Sequence, residues 1–294
     1  MRIASFLPSA TEIVCVLGLA DKLVGVSHEC DYPPEVVARL PRLTRSALPA
    51  GLTSAEVDTA VSARLRRGES LYLIDEERLV ELKPDLLITQ ELCEVCAVAF
   101  SDVCAVSARL PGHPRVLSLT PPSLAAIFGD VRTVAEALGV PERGEHLIAE
   151  LQSRLGHIAE RVKGRPRPSV LALEWLDPPF AAGHWVPEMI ALAGGREVLG
   201  RAGEKSFRIT WDQVTAARPE VILLIPCGYS AEAAQREWEA LPKLPGWESI
   251  PAIERGCVHA LDANSYCSRP APRVVEGVER IASLLHPEDG PLMS

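Results

Sequence analysis

The chain reads TEIVCVLG at residues 11–18 and PEMIALAG at residues 187–194. The glutamate and the closing glycine of the two stretches both keep a constant offset of 176 residues. Each stretch is typical of an apolar helix that stops at glycine, because glycine accepts the left-handed backbone that ends many helices. A helix repeated in this way indicates an internal repeat in the fold.

Two further echoes follow in the same order. LKPDLLI at 82–88 resembles ARPEVIL at 217–223, and RVLSL at 115–119 resembles GCVHAL at 256–261. Any one echo can arise by chance among helices rich in Ala, Leu and Val, but the ordered set favours two similar lobes. Ligands commonly bind where two lobes form a cleft, so we expect a binding site in an interlobe cleft.

Short apolar runs alternate with helical patterns along most of the chain. The runs are continuous rather than alternating, as in strands that helices cover on both faces. This order predicts an α/β fold with mainly parallel sheets in two similar lobes joined by one long helix. We expect an N-terminal lobe at 1–122, a helical linker at 123–164 and a C-terminal lobe at 165–294. A single helical connection of this kind predicts only a small opening and closing motion.

Composition narrows the possible partners. The 294 residues carry a formal net charge of -9, which argues against nucleic acid, because phosphate binding needs a basic face. No apolar run reaches the length of a membrane helix, and we expect a monomer. Met1 is followed by no signal-peptide core and no lipoprotein cysteine. We therefore expect a cytoplasmic protein as the sequence stands, or a periplasmic or extracytoplasmic one if a leader has been removed.

Several motifs resemble the helical-hinge (class III) ABC-importer substrate-binding proteins, and within that class the cobalamin-binding proteins. They are SFLPSATE at 5–12, VGVS at 24–27, DYPP at 31–34, ERLVELKPD at 77–85, PPFAAG at 178–183 and APRVV at 271–275. The resemblance spans nearly the whole chain in the family order. It implies a small-molecule ligand, either cobalamin or another metal tetrapyrrole, with no required cofactor, and an ABC permease as partner.

The resemblance also assigns two docking residues. Family members meet their permease through one acidic residue on each lobe, and the matching positions here are Glu77 and Asp212. The internal repeat agrees, since both positions share the offset that relates Pro84 to Pro219. A carboxylate near a helix start also has a structural explanation, because it complements the helix dipole.

Aromatic residues are expected to contact the ligand. Cobalamin-binding members pack aromatic rings on the corrin, and Tyr32 and Phe180 match two such positions. The stretch 43–71 contains no tryptophan, so the N-terminal lobe offers fewer stacking platforms than such members. The further aromatic candidates near predicted strand ends are Trp175, Trp185, Tyr229 and Tyr266.

Cysteine and histidine residues follow the predicted strands, where parallel α/β sheets bind their ligands. The candidates are His28, Cys30, Cys93, His184, Cys227 and Cys267. Three interpretations stay open: ligand contacts that include axial ligation of a tetrapyrrole metal, a bound structural or transported metal, or small residues that shape a pocket. The candidate metal ligands are His28 and His184 together with the C-x-x-C pair Cys93 and Cys96.

An enzyme is not expected. His28 and Cys30 lie close together in sequence, and Cys93 could serve as a thiolate nucleophile. No nucleophile elbow and no glycine-rich phosphate loop with lysine accompany them. The competing function is a cytoplasmic binder or chaperone of a tetrapyrrole or metal that works without a permease.

Overall fold

A computed structural model describes residues 1–91 and 98–287, and the chain divides into two compact units. The first unit comprises 1–121 and 126–148, and the second comprises 122–125 and the chain from 149 onward. Each unit contains its own mainly parallel sheet with helices in the connections. The predicted α/β class with two similar lobes is therefore confirmed.

The first unit is built on a four-stranded parallel sheet. The strands of this unit are β1 Ile3–Ser5, β2 Leu23–Val26, β3 Thr44–Ser46, β4 Tyr72–Ile74, β5 Leu86–Gln90 and β6 Arg115–Leu119. The helices up to this point are α1 Pro8–Val16, α2 Pro34–Val37, α3 Ser54–Arg66, α4 Glu76–Leu82 and α5 Phe100–Arg109. The sheet order is β2-β1-β5-β6, and β3 and β4 form a separate antiparallel pair.

Two helices follow, α6 Leu124–Ala137 and α7 Pro141–Val162. Gly139 separates them with a φ of 74°. The 22 residues of α7 span about 33 Å at 1.5 Å per residue. The boundary between the compact units falls inside α7, at 148/149, whereas the sequence places the first boundary before α6. The stiffness of this connection stays a prediction.

The second unit is built on a mixed sheet. Its strands are β7 Ser169–Leu176, β8 Pro179–Ala181, β9 Arg196–Glu197, β10 Phe207–Arg208, β11 Val221–Leu224 and β12 Val258–Ala260. Its helices are α8 Val186–Leu192, α9 Trp211–Ala217, α10 Ala231–Ala240, α11 Pro251–Glu254, α12 Ala263–Tyr266 and α13 Val274–Leu285. The order is β10-β8-β7-β11-β12, and β9 also pairs with β7.

The parallel parts of the two sheets repeat one topology. In the first unit β1 lies between β2 and β5, and in the second β7 pairs with both β9 and β11 in the same parallel sense. The register repeats as well, because Leu87 pairs with Val116 and Ile222 pairs with Val258. The antiparallel strands β8 and β10 are an addition of the second unit, and the sequence echoes do not include them.

Local sequence explains the repeated helices. Helix α1 is followed by Gly18 with a φ of 75°, and α8 is followed by Gly194 with a φ of 85°, so both ends use the left-handed backbone that glycine accepts. At the end of α1, the guanidinium of Arg143 donates a 2.9 Å hydrogen bond to the carbonyl of Leu17, which satisfies one terminal carbonyl.

Each unit has its own apolar core. The core of the first unit includes Phe6, Leu79 and Leu87, and that of the second includes Leu171 and Ile222, all fully buried. Burial of a side chain of this size contributes about 1.5–3 kcal/mol, which is why the apolar strand runs decide the fold. The loops at the carboxyl ends of these strands are thereby held on two packed scaffolds.

Candidate functional site

The loop after β2 carries His28 on a network of hydroxyl groups. The hydroxyl of Thr44 lies 2.7 Å from Nδ1 of His28 and accepts the backbone N–H of the same residue at 3.1 Å. It also lies 3.0 Å from the hydroxyl of Ser27. One side chain from β3 thus fixes both the backbone and the ring of His28.

The far side of the His28 ring faces a carboxylate and an aromatic ring. Its Nε2 lies 3.1 Å from a carboxylate oxygen of Glu29, and its centroid lies 5.8 Å from that of Tyr72. The ring is half-buried. His28 is thus held by Thr44 on one side and lies against Glu29 and Tyr72 on the other.

The same loop places its two other predicted residues differently. Cys30 is 1% exposed, and its Sγ lies 3.2 Å from the hydroxyl of Thr11. The guanidinium of Arg42 donates hydrogen bonds to the carbonyls of Ser27 and Cys30, at 3.1 and 2.6 Å, and so fixes the backbone of this loop. Tyr32 is 37% exposed, so part of this residue faces solvent. We therefore retain Tyr32 and leave Cys30 out of the ligand set proposed below.

Three aromatic side chains gather at the carboxyl end of β7 in the second unit. Trp175 and Tyr229 meet edge to face, with ring centroids 5.7 Å apart and an interplanar angle of 88°. Phe180 stands opposite Trp175 in the β7–β8 pair, and directly opposed residues of an antiparallel pair share one face of the sheet. All three are half-buried. The guanidinium of Arg208 lies 5.6 Å from the Phe180 ring, which adds positive charge to this face.

His184 occupies an unusual backbone position two residues before α8. Its φ is 48°, in the left-handed region that a non-glycine residue adopts at a cost. The backbone is held by its N–H to the carbonyl of Glu204 at 2.6 Å and by the N–H of Gly203 to its own carbonyl at 2.8 Å. A Cβ on the preceding Gly183 would lie 2.4 Å from the Glu204 oxygen, so glycine is required there.

The ring of His184 has a lowered pKa, and its Nε2 makes no hydrogen bond among the described residues. Burial, with a smaller contribution from the charge of Lys205, lowers the pKa of this imidazole. Its Nε2 is buried and has no hydrogen-bond partner within the described part of the chain. The ring packs at 5.6 Å on Trp185. A neutral imidazole with an open nitrogen is the form that ligates a metal.

Trp185 and Cys267 are buried against each other. The indole N–H of Trp185 donates a 2.7 Å hydrogen bond to the carbonyl of Cys267, and both residues are nearly inaccessible, at 4% and 1% exposure. Burial, followed by the charges of Glu174 and Asp262, raises the pKa of the Cys267 thiol far above its ordinary value, which keeps it protonated. We leave both out of the proposed ligand set.

The remaining candidates of the second unit are half-buried. Cys227 follows β11, and its backbone N–H donates to the carbonyl of Glu174 at 3.1 Å. Tyr266 lies under the guanidinium of Arg280, which sits 4.2 Å from the ring centroid. The Tyr266 ring therefore serves a contact within its own unit, whereas the thiol of Cys227 stays a predicted ligand contact.

Of the four predicted metal ligands, only His28 and His184 lie among the described residues. Cys93 and Cys96 lie outside the described residues. Within 1–91 and 98–287, no three His, Cys, Asp or Glu side chains come together as a group that could hold a metal ion. His28 belongs to the first unit and His184 to the second, and their joint role as metal ligands stays a prediction.

The sequence analysis missed two supports of the site. Thr44 organises His28, and the turn at 203–206 closes over Gly183 and His184. Neither has a strong local signal, since threonine and lysine are common in loops. The positive φ of His184 and the packing at Gly183 come from contacts with a turn about 20 residues further along the chain.

Glu77 and Asp212 lie on corresponding short helices. Each is exposed and is the second residue of its helix, α4 or α9. In the described residues neither carboxylate has a hydrogen-bond or ion-pair partner. Each is thus open to a basic partner, and each also complements the dipole of its own helix.

Comparisons with known proteins agree with this fold. A vitamin B12-binding protein of Vibrio cholerae is 24% identical over 294 residues, with 97% of this chain and 88% of that protein covered. An uncharacterized ABC transporter substrate-binding lipoprotein of Bacillus subtilis, YvrC, is 23% identical over 295 residues, with 98% and 80% covered. The structure of the periplasmic haem-binding protein RhuT from Roseiflexus sp. RS-1 superimposes with a TM-score of 0.72 at 25% identity, covering 97% of this chain and 98% of that one.

In the described part of the chain, none of the helices is both long and apolar enough to cross a membrane. The family model described as periplasmic binding protein matches residues 3–265, which is most of the sequence. With the repeated α/β units and the motif order already described, this match shows that the chain belongs to the periplasmic binding protein family.

Proposed function

We propose that this protein is the substrate-binding component of an ABC importer and that its ligand is a corrinoid such as cobalamin or another metal tetrapyrrole, such as haem. The relatives named above include proteins for vitamin B12 and for haem. These ligands share a flat ring with a metal at its centre. That shared chemistry requires aromatic surface and a metal-ligating side chain.

The observation that carries the proposal is the state of His184. Burial lowers the pKa of its imidazole, its Nε2 lacks a partner in the described residues, and its backbone is held in a costly conformation by the turn at 203–206. Conformational strain of this kind persists where the surrounding structure fixes it, and it is common at functional sites. Imidazole is a ligand for cobalt and iron, so we assign His184 as an axial ligand of the bound metal.

The aromatic face of the second unit suits a flat ring. Trp175, Phe180 and Tyr229 offer half-buried ring surface on one scaffold, and Arg208 adds a positive charge beside them. In the first unit, Tyr32 is exposed and His28 lies on the neighbouring part of the same loop. We propose these residues as ligand contacts. The position of the ligand in a cleft between the units stays a prediction of the sequence.

The importer role adds a second pair of residues. We propose that Glu77 and Asp212 pair with basic residues of a permease, because both carboxylates are exposed and unpaired within the described residues. The relative from Bacillus subtilis is described as a lipoprotein of an ABC transporter, which supports an extracytoplasmic site of action. Binding of the same ligand without any permease is the competing function.

Titration of the purified protein with aquocobalamin and with haemin tests the ligand class. We expect a saturable change in visible absorbance with one of the two, because a new metal–imidazole bond alters the electronic spectrum, and a saturable heat in calorimetry. The compound that gives both the absorbance change and the heat of binding identifies the class of tetrapyrrole that the protein binds. Absence of a spectral change and of heat with both compounds would overturn the proposed function.

A further inference from the structure

Helix α1 begins without the groups that normally complete a helix start. The residue before it, Leu7, has extended backbone but no side-chain acceptor, and Pro8 at the first position has no N–H to satisfy. The open donors are therefore the backbone amides of Ser9 and Ala10. No acidic side chain lies in the first turn.

Other long helices of the described residues have a negative group at their start. Helices α3, α5, α7, α10 and α13 each have an acidic residue in the first turn. The first N–H of α6 donates a 2.7 Å hydrogen bond to the carboxylate of Glu188. A helix start carries a partial positive charge, and these groups complement it. At α1 the complement is missing.

A second and independent observation lies in the side chain of Ser9. This residue is 1% exposed, and its hydroxyl has no hydrogen-bond partner among the described residues. Buried hydroxyl groups are nearly always bonded. Because the Cα–Cβ bonds of a helix tilt toward its N-terminus, the Ser9 hydroxyl points to the same end as the open amides.

Neighbouring hydroxyl groups fix the backbone at the start of α1, but they do not accept hydrogen bonds from its open amides. Ser5 donates a 2.9 Å hydrogen bond to the carbonyl of Leu7, and Thr11 donates to the Ser5 hydroxyl at 2.8 Å. These contacts hold Leu7 in its extended conformation. Glu12, further into the helix, is buried and has a partner of its own. Among the described residues, the Ser9 hydroxyl and the two amides are thus left as a group of donors with no acceptor.

The start of α1 lies where a ligand is expected. Helix α1 follows β1 directly, and β1 runs parallel to β2, so α1 begins at the same edge of the sheet as the loop that carries His28. The carboxyl edge of a parallel sheet is the usual ligand side of α/β domains.

We infer that the start of α1 binds an oxyanion of the ligand, a carboxylate or a phosphate group, through the Ser9 hydroxyl and the amides of Ser9 and Ala10. Three donors without an acceptor match an oxygen anion, and helix starts bind such groups. The inference rests on the proposed function only for the source of the anion: haem carries carboxylate side chains, and cobalamin carries a phosphodiester.

Amide chemical shifts test this site without any tetrapyrrole. Wild-type protein labelled with ²H and ¹⁵N is titrated with acetate, and separately with inorganic phosphate, at constant ionic strength. We expect saturable shifts of the Ser9 and Ala10 amides. Ser9→Asp supplies its own carboxylate and should abolish them, whereas Ser101→Asp, the same change at the second position of α5, should keep them.

The variant Ser9→Ala provides a second test of the site in case Ser9→Asp does not fold. It removes the hydroxyl donor alone and should weaken acetate binding by about tenfold, in line with the loss of one hydrogen bond to a charged partner. A thermal melt of each variant checks the fold. Unmoved Ser9 and Ala10 amides in the wild type, or unchanged saturable shifts in Ser9→Asp and Ser9→Ala, would overturn the inference.

Haemin and aquocobalamin titrations of the same variants connect the site to the ligand. Ser9→Asp should weaken binding of the anionic ligand by about threefold to tenfold through lost dipole complementation, and Ser101→Asp should leave it unchanged. Acetate binding without binding of either tetrapyrrole would reject the proposed function and keep the oxyanion site. Tetrapyrrole binding with acetate and phosphate inactive at these amides would keep the proposed function and reject the site.

Discussion

Glu77 and Asp212 occupy the same position in two copies of one helix. Helices α4 and α9 both have seven residues, and both carry the acidic residue at their second position. An N-cap side chain precedes each helix, Asp75 in the first unit and Thr210 in the second. The repetition extends from the sequence to the backbone, so the two carboxylates are presented by equivalent local structures.

Neutralising these carboxylates should impair coupling to an importer without affecting the ligand. We expect Glu77→Gln and Asp212→Asn each to lower stimulation of the partner permease's ATPase by about threefold to tenfold, as loss of a charged contact at an interface does. Ligand affinity should stay at the wild-type value, and the melting temperature should fall by no more than about 3 °C, because each carboxylate also complements its helix dipole. Glu81→Gln, on the same α4, is the matched control. Full stimulation by the double variant would remove the docking assignment.

The same helices end with residues in a left-handed conformation. Lys83 has a φ of 44° and Arg218 a φ of 46°, each just before a proline. Since glycine adopts this backbone without a steric penalty, Lys83→Gly and Arg218→Gly should each raise the free energy of unfolding by about 0.5–1 kcal/mol. Urea unfolding measures the change. Arg66→Gly, inside the last turn of α3, should instead destabilise the protein; stabilisation at neither left-handed site would contradict the argument.

The acidic residue that follows each of these prolines binds the backbone at the start of a central strand, β1 or β7. The carboxylate of Asp85 accepts the backbone N–H of Arg2 at 2.7 Å, and that of Glu220 accepts the N–H and hydroxyl of Ser169 at 2.8 and 2.9 Å. The hydrogen bonds from Ser169 lower the pKa of Glu220. The depressed folded-state pKa means that this stabilisation is present above the ordinary glutamate pKa and is lost as pH falls through the folded value.

Glu220→Gln should therefore destabilise the protein at neutral pH by about 1 kcal/mol, since the carboxylate is partly exposed. The difference from wild type should shrink as pH drops below the ordinary glutamate pKa of about 4.3 and through the lowered pKa of the wild-type carboxylate. Denaturant unfolding at several pH values measures it. Glu254→Gln, at an exposed position of α11, should show no such trend. A difference that is constant with pH would reject the electrostatic explanation.

Asp130 in α6 should give the opposite pH dependence. Burial raises the pKa of this carboxyl to about 7, against a smaller lowering by the backbone hydrogen bond from Thr120. A raised folded-state pKa in an acid means that stability is highest at low pH and is lost as pH rises toward that value. Asp130→Asn should hence stabilise the protein by about 1–3 kcal/mol at pH 8 and have little effect near pH 4.

Melting curves between pH 4 and pH 8 measure the effect of Asp130→Asn. Glu136→Gln, an exposed change on the same helix, controls for the loss of one negative charge. Equal melting temperatures of wild type and Asp130→Asn over the whole range would show that the carboxyl ionises without cost.

The scaffold is predictable from sequence because its causes are local. Apolar strand runs, glycine stops and the prolines after α4 and α9 act within a few residues, so their echoes predict the two similar units. The burial of candidate thiols is not predictable in this way. Cys30 packs on Thr11, and Cys267 receives the indole N–H of Trp185 from 82 residues away. A loop position after a strand does not reveal which side of the loop faces the core.

The state of His184 was equally hidden in the sequence. Its position before a predicted helix suggests a reachable imidazole, and the structure adds the positive φ and the unbonded Nε2. The positive φ follows from backbone hydrogen bonds to the turn at 203–206, whose path depends on the antiparallel strands β8 and β10. Tertiary contacts of this range leave no periodic trace.

The central claim is that His184 ligates the metal of a tetrapyrrole, and the visible absorbance of the loaded protein tests it most directly. Wild-type protein and His157→Ala, an exposed change on α7, should give the same metal–imidazole spectrum with haemin or aquocobalamin. His184→Ala should lose that spectrum and bind at least about tenfold more weakly. A His184→Ala spectrum and affinity identical to those of the wild type would contradict the account.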